Sequence, residues 1–217
     1  MPIITIRGQM GSEAPEVGRR VADNLGIDYV DREIIAEVAA KLQRREQEVI
    51  AKEMLPTSLL GRIAEALEHG YAFGDGMAGA YLSMAEMPLE DGRYLRALES
   101  VVKKLTQGRS LVIRGRGSQF ILKDHPEAFH VLAVASLDVR VTRTMKDLKL
   151  GREAAKLEVT RFDGRLREFI KRYFKADLED PVNYDLVINT ERLNCEAAAS
   201  IIVDALPHGP DTLHGHK

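Results

Sequence analysis

Pro2-Ile3-Ile4-Thr5-Ile6-Arg7-Gly8-Gln9-Met10-Gly11-Ser12-Glu13-Ala14-Pro15 is the stretch whose reading decides the fold. Residues 2–6 make a continuous apolar run rather than an alternating one, which is the pattern of a strand covered on both faces. Gly8 and Gly11 then break the run, and Pro15 stands where a helix admits proline, in its first turn. Val17, Val21 and Leu25 recur four apart, and Gly26 supplies a stop. A loop between a strand and a helix N-terminus aims free N–H groups and the positive end of the helix dipole outward, a ready place for phosphate.

The same alternation continues along the chain. Runs 27–30, 110–114, 129–135 and 184–188 read as further strands. Asp31 is placed to cap a helix whose stripe is Ile34, Ile35, Val38 and Leu42. Leu166, Phe169, Ile170 and Tyr173 follow helical spacing, and Asn194 is placed to cap a last helix running to residue 206. Strands alternating with helices predict an α/β fold, three layers deep, around a five-stranded, mostly parallel sheet. Residues 54–109 interrupt the rhythm with helical stretches and a glycine-rich patch, and read as a helical insert within one domain spanning 1–206. Met77, Met84 and Met87 in that insert read as packing side chains. The tail, 207–217, carries His208, His214 and His216 among Gly, Pro and polar residues, and reads as disordered.

Composition narrows the function classes. The chain has 217 residues, 45% hydrophobic and 29% charged, with net charge −2, an ordinary globular balance that argues against disorder and fibrous repeats. A single cysteine, Cys195, excludes an intramolecular disulfide framework and a cysteine-based zinc site, and fits a reducing, cytoplasmic compartment. No run approaches the roughly 18 apolar residues that a membrane span needs, and the first residues do not read as a secretion signal. The charge is uneven: residues 139–175 hold 12 Lys or Arg against 5 Asp or Glu, a local +7 that leaves −9 for the rest. An acidic body with one basic segment fits a localised anion site better than a nucleic-acid surface. The competing reading of that segment is a solvated basic helix.

Position in the chain is right for a P-loop, whose signature is G-x-x-x-x-G-K-[ST]. With the first glycine on Gly8, however, Glu13 stands at the second glycine, Ala14 at the lysine and Pro15 at the hydroxyl residue. Such a loop cradles phosphate only through its backbone and Ser12, and Glu13 adds a negative charge to it.

Further segments in fixed order carry a resemblance to a known family. They are Ile3-Ile4-Thr5-Ile6 with Gly11-Ser12 and Glu16-Val17-Gly18-Arg19, then Leu25-Gly26-Ile27 and Tyr29-Val30-Asp31-Arg32-Glu33-Ile34-Ile35. Next come Leu111-Val112-Ile113-Arg114-Gly115-Arg116-Gly117-Ser118, Phe120-Ile121-Leu122, Val139-Arg140 and Asp163-Gly164-Arg165. Asp180-Pro181 and Tyr184-Asp185-Leu186-Val187-Ile188-Asn189-Thr190 complete the series. The chain resembles the cytidylate kinase-like family of P-loop nucleoside monophosphate kinases over nearly its whole length apart from the insert and tail.

That resemblance implies a P-loop NTPase-type fold with an arginine-rich lid at 139–175. It also implies transfer of the γ-phosphoryl group of ATP, with Mg2+, to a nucleoside monophosphate such as CMP or dCMP. Gly8, Gly11 and Ser12 would cradle the donor, Arg116 would hold the acceptor phosphate, and Asp31 and Asp163 would sit at the acceptor. Arg161 and Arg165, four apart on one helix face, would be the lid cations, since phosphoryl transfer relies on alignment and on cations against the equatorial oxygens. The alternative for them is pairing with Glu158, Asp163 or Glu168 at the surface. Cytidylate kinases proper often carry an aspartate after the arginine of the third strand, where this chain has Gly117. The altered loop keeps a second function open, a nucleotide-binding or sensing protein on the same fold with impaired catalysis. Nucleotides are the expected partners, with no membrane and no nucleic acid, and no metal ligands are assigned. Asp185 reads as structural.

Overall fold

The computed structural model describes residues 1–31, 33–42, 44 and 91–207. Five strands, β1 (Ile3–Gly8), β2 (Asp28–Val30), β3 (Leu111–Arg114), β4 (Ala128–Val134) and β5 (Leu186–Asn189), form one sheet in the order β2-β3-β1-β4-β5. Every pairing is parallel. Helices α1 (Ala14–Leu25), α2 (Glu33–Leu42), α3 (Asp91–Leu105), α4 (Ser118–Ile121), α5 (Leu137–Leu148), α6 (Arg152–Phe174) and α7 (Cys195–Ala205) surround it.

The central strand explains the layering. Successive side chains of β1 point to opposite faces. Ile3 joins Leu111 and Ile113 in a core closed by α2, α3 and α6. Ile4 and Ile6 join Val112, Val131 and Ala133 in a second core closed by α1 and α7. Both faces are thus dry, which is why the run is continuous, and each fully buried isoleucine contributes about 2 kcal/mol. Thr5 and Arg7 share the face of Ile3 and are buried too. Thr5 Oγ1 meets His130 Nδ1 on β4 at 2.8 Å. On the same strand, the His130 N–H donates to the Asp185 carboxylate at 2.7 Å, the structural role the sequence assigns to Asp185.

Local signals fix the helix ends. Pro15 opens α1, and Gly26 closes it at φ 63, its N–H reaching the Ala22 and Asp23 carbonyls. Asn194 caps α7 by accepting from the Ala197 N–H at 2.8 Å. Asp31 does not cap α2 as expected: the helix begins at Glu33, and the Asp31 carboxylate is taken by Arg114 at 2.7 Å. Arg114 offers that carboxylate a bond charged on both sides, and Glu33 accepts from the Asp31 N–H at 2.9 Å where the chain enters α2.

Of the insert expected over 54–109, residues 54–90, with their methionines, lie outside the described residues. Asp91–Leu105 is a helix packed into the first core through Tyr94, Leu98 and Val102. The tail histidines also lie outside them. The basic segment 139–175 forms most of α5 and all of α6, joined through Lys149, Leu150 and Gly151. Ala155 and Val159 of α6 pack on Val141 with Met10 and Met145, while Phe169 and Ile170 enter the first core. Among the described residues no helix is long and apolar enough to cross a membrane.

Candidate phosphate-binding site

The loop after β1 lies at the carboxyl ends of the parallel strands, where open α/β sheets place ligands. It is held from below by α5. Arg140 donates to the carbonyls of Ala135 and Met10, and Arg143 to those of Gly11 and Thr190. Thr190 Oγ1 donates to the Ser12 carbonyl at 2.9 Å. Gly11 sits at φ +78, and a Cβ there would come within 2.5 Å of the Arg140 carbonyl oxygen, so only glycine fits. Asp163 of α6 completes the frame. Its carboxylate pairs with Arg140 at 2.6 Å and accepts from the Met10 N–H at 3.1 Å.

Glu13 is the residue by which this loop departs most from the signature. It takes a left-handed backbone, φ 59, at the N-terminus of α1. Its carboxylate pairs with Arg143 at 2.9 Å and accepts from the Cys195 thiol at 3.7 Å. Burial and the Glu13 charge both raise the Cys195 pKa, so that cysteine is no activated thiolate.

A second turn faces the loop at the end of β3. Gly115, Arg116 and Gly117 all have positive φ, at 68, 60 and 69 degrees. An arginine held there costs of order 1–3 kcal/mol, a strain found at binding sites. Burial lowers the Arg116 pKa, with Asp31 opposing the shift. Neighbouring Arg114 reaches across to Asp31, which is itself the residue following β2.

Two cavities flank the loop. One, of about 160 Å³, is lined by Arg7, Gly8, Asp31, Arg114, Gly115 and Arg116, with Phe162, Leu166 and Phe169 of α6 as its apolar wall. The other, of about 520 Å³, is bounded by Glu13, Arg20, Arg143 and the connection from Thr190 to Glu196. Gly8 borders the first and Glu13 the second, so one short loop separates them.

Of the residues expected at a site, the structure gathers Gly8, Asp31 and Arg116 around the smaller cavity. Ser12 is fully buried, its Oγ without a hydrogen-bond partner and packed where a Cβ on Gly8 would stand. Arg165 lies three after Phe162 and four before Phe169, on the helix face that carries the apolar wall, and burial lowers its pKa. Arg161 is one turn earlier, 3.8 Å from Glu158, a pairing the sequence allowed for. Two residues escaped the sequence reading, Arg7 and Arg114. An arginine at or next to the end of two otherwise buried strands, Ile3–Gly8 and Leu111–Arg114, was the signal available.

Magnesium finds no built seat. Pro15 replaces the hydroxyl residue that would hold it, the Asp31 and Asp163 carboxylates are paired with arginines, and among the described residues no three His, Cys, Asp or Glu cluster. The ion would come as part of a nucleotide, coordinated by its phosphates.

A model of the cytidylate kinase-like family matches residues 3–192. The chain belongs to that family. No curated protein matches it. Among solved structures, an uncharacterized protein from Eubacterium ventriosum is similar at TM-score 0.67 and 17% identity, over 95% of this chain and 98% of that one. The shikimate kinase of Bacteroides thetaiotaomicron is similar at TM-score 0.53 and 11% identity, over 94% and 98%. A sugar kinase from Janibacter sp. HTCC2649 is similar at 0.50 and 14%, over 95% and 94%. These likenesses establish the P-loop kinase fold. Within this cytidylate kinase-like chain, Gly117 has a steric reason: a Cβ there would lie 2.4 Å from the Phe174 ring, so the turn admits no aspartate.

Proposed function

We propose that the chain is a phosphotransferase that moves the γ-phosphoryl group of MgATP to a nucleoside monophosphate, CMP or dCMP by family. The observation that carries this reading is the pair of cavities meeting at one glycine-bearing loop. A donor in the larger cavity and an acceptor in the smaller would face each other across Gly8, Gly11 and Ser12, and transfer needs little more than such alignment with cations around the moving group. Arg116 holds the acceptor phosphate, with Asp31 beside it. Arg165 and Arg161 approach the transferred group from α6. Asp163 acts by fixing the loop through Arg140 and Met10 rather than by touching the acceptor.

A second reading has its own support. The Glu13–Arg143 pair occupies the donor side, and Ala14 supplies no lysine for the β- and γ-phosphates, which removes transition-state stabilisation of several kcal/mol. The fold would then bind nucleotides without turnover. Incubation with MgATP and each nucleoside monophosphate, followed by phosphorus NMR, separates the two. Formation of CDP or dCDP, abolished by Arg116→Ala, supports the kinase. Calorimetric binding without diphosphate supports the sensor, and no binding of any nucleotide refutes both.

A further inference from the structure

Arg7 is the last interior-facing side chain of the central strand, in register with Leu132 of β4, and only 3% of it is exposed. One nitrogen, Nη2, donates to Glu179 at 3.0 Å. Nε and Nη1 are buried and have no hydrogen-bond partner. Yet the side chain lines the smaller cavity together with Arg114 and Arg116. A guanidinium stripped of water normally has its donors satisfied, since each orphaned one loses hydration without return. Two unsatisfied nitrogens on a side chain that borders a cavity already holding a strained arginine call for an anion.

We propose that Arg7 is a phosphate-binding residue, its Nε–H donating to an oxygen of a phosphate monoester seated between the ends of β1 and β3. Arg7, Arg114 and Arg116 line the cavity with Asp31, and Glu179 pairs with Arg7, so these five side chains leave one positive charge, the sign a phosphate monoester needs. Arginine presents Nε side by side with Nη2, which Glu179 already takes, so Nε offers a phosphate oxygen one charge-assisted bond. Glu179 holds Nη2 and, by also accepting from Gln9 Nε2 at 3.3 Å, links Arg7 to the loop. Glu179 is therefore a positioning residue. The inference rests on the acceptor reading of this cavity and adds to it a cation that the loop signature does not contain.

The test titrates the full chain with inorganic phosphate, CMP and cytidine by calorimetry, using wild type, Arg7→Ala and Arg7→Lys. Arg7→Ala is expected to weaken CMP and phosphate at least tenfold and to leave cytidine unchanged, with Arg7→Lys intermediate. A second readout needs no folded variant: the Nε–H resonance of Arg7 in wild type, assigned by its loss in Arg7→Lys or by through-bond connectivity, shifts as phosphate saturates. Unchanged CMP affinity in Arg7→Ala, or a stationary Nε–H signal while CMP binds, overturns the inference and leaves the kinase reading standing. Arg7-dependent phosphate binding without any diphosphate product leaves the inference standing and refutes the kinase. Absence of both phosphate and CMP binding at millimolar concentration refutes both.

Discussion

Removing the Asp163 carboxylate tests how the loop is held. Asp163 and Arg140 meet at 2.6 Å with each side chain 8% exposed, and Asp163 also accepts from the Met10 N–H. Breaking a buried pair from one side costs about 3–5 kcal/mol, because the remaining charge stays buried. Arg140 retains the carbonyls of Ala135 and Met10, so Asp163→Ala falls at the low end, about 3 kcal/mol. For a chain of this size that is a melting-point fall of roughly 6–12 °C. Asp163→Asn keeps the volume and an acceptor for Met10 and should lose about 2 kcal/mol, the value of a charged hydrogen bond.

Thermal and urea unfolding of both variants, with Arg140→Met completing a double-mutant cycle, measures the pair directly, and a coupling of about 1.5 kcal/mol or more is expected. A loss below about 1 kcal/mol in Asp163→Ala would show that the pair does not hold α6 to the loop. Wild-type stability in Asp163→Asn together with weakened CMP binding would return Asp163 to the acceptor.

Glu13→Gln removes the negative charge from the donor side and releases Arg143; ATP affinity should rise about tenfold, with a stability cost of no more than about 1 kcal/mol for a partly exposed pair. Unchanged or weaker ATP binding by calorimetry would place the triphosphate elsewhere. His130 is held below its ordinary pKa by burial, with Asp185 opposing the shift. The neutral ring is therefore favoured in the folded chain, so this contribution is complete above the unfolded value, about 6.5, and is lost as pH falls through the depressed folded value. Urea midpoints between pH 7.5 and 5 should fall more steeply in wild type than in His130→Gln, and parallel slopes would refute that assignment.

The sheet was legible because its strands are continuous apolar runs, and the caps were legible where one residue does one job, as Gly26 and Asn194 do. Asp31 misled as a cap because the choice between capping and pairing depends on Arg114, 83 residues away in sequence. The α5 arginines show the same limit. Arg140 and Arg143 suit phosphate oxygens by type and spacing, but they are consumed by loop carbonyls and by Asp163 and Glu13, which no local pattern reveals. Arg7 was overlooked for the opposite reason: it sits in a strand that reads as core, and a buried strand position seldom advertises a binding side chain.

The positive charge missing from position 14 of the loop has counterparts nearby, but their distribution changes what the site does well. The larger cavity is bounded by Glu13, Glu191 and Glu196 against Arg20, Arg143 and Arg192, a balanced set. The smaller is lined by Arg7, Arg114 and Arg116 with Asp31, while Glu179 pairs with Arg7, so among these described residues one positive charge is in excess. A triphosphate entering the first meets no net attraction, and part of the cationic surface there is already paired to Glu13. A monophosphate entering the second meets buried donors, one of them on a strained backbone, in a place where water screens little. Under the proposed assignment the acceptor side would be the preorganised half of this site, and the chemical cost of losing the lysine would fall on the donor. Any turnover must overcome that cost through the arginines of β1, β3 and α6 rather than through the loop itself.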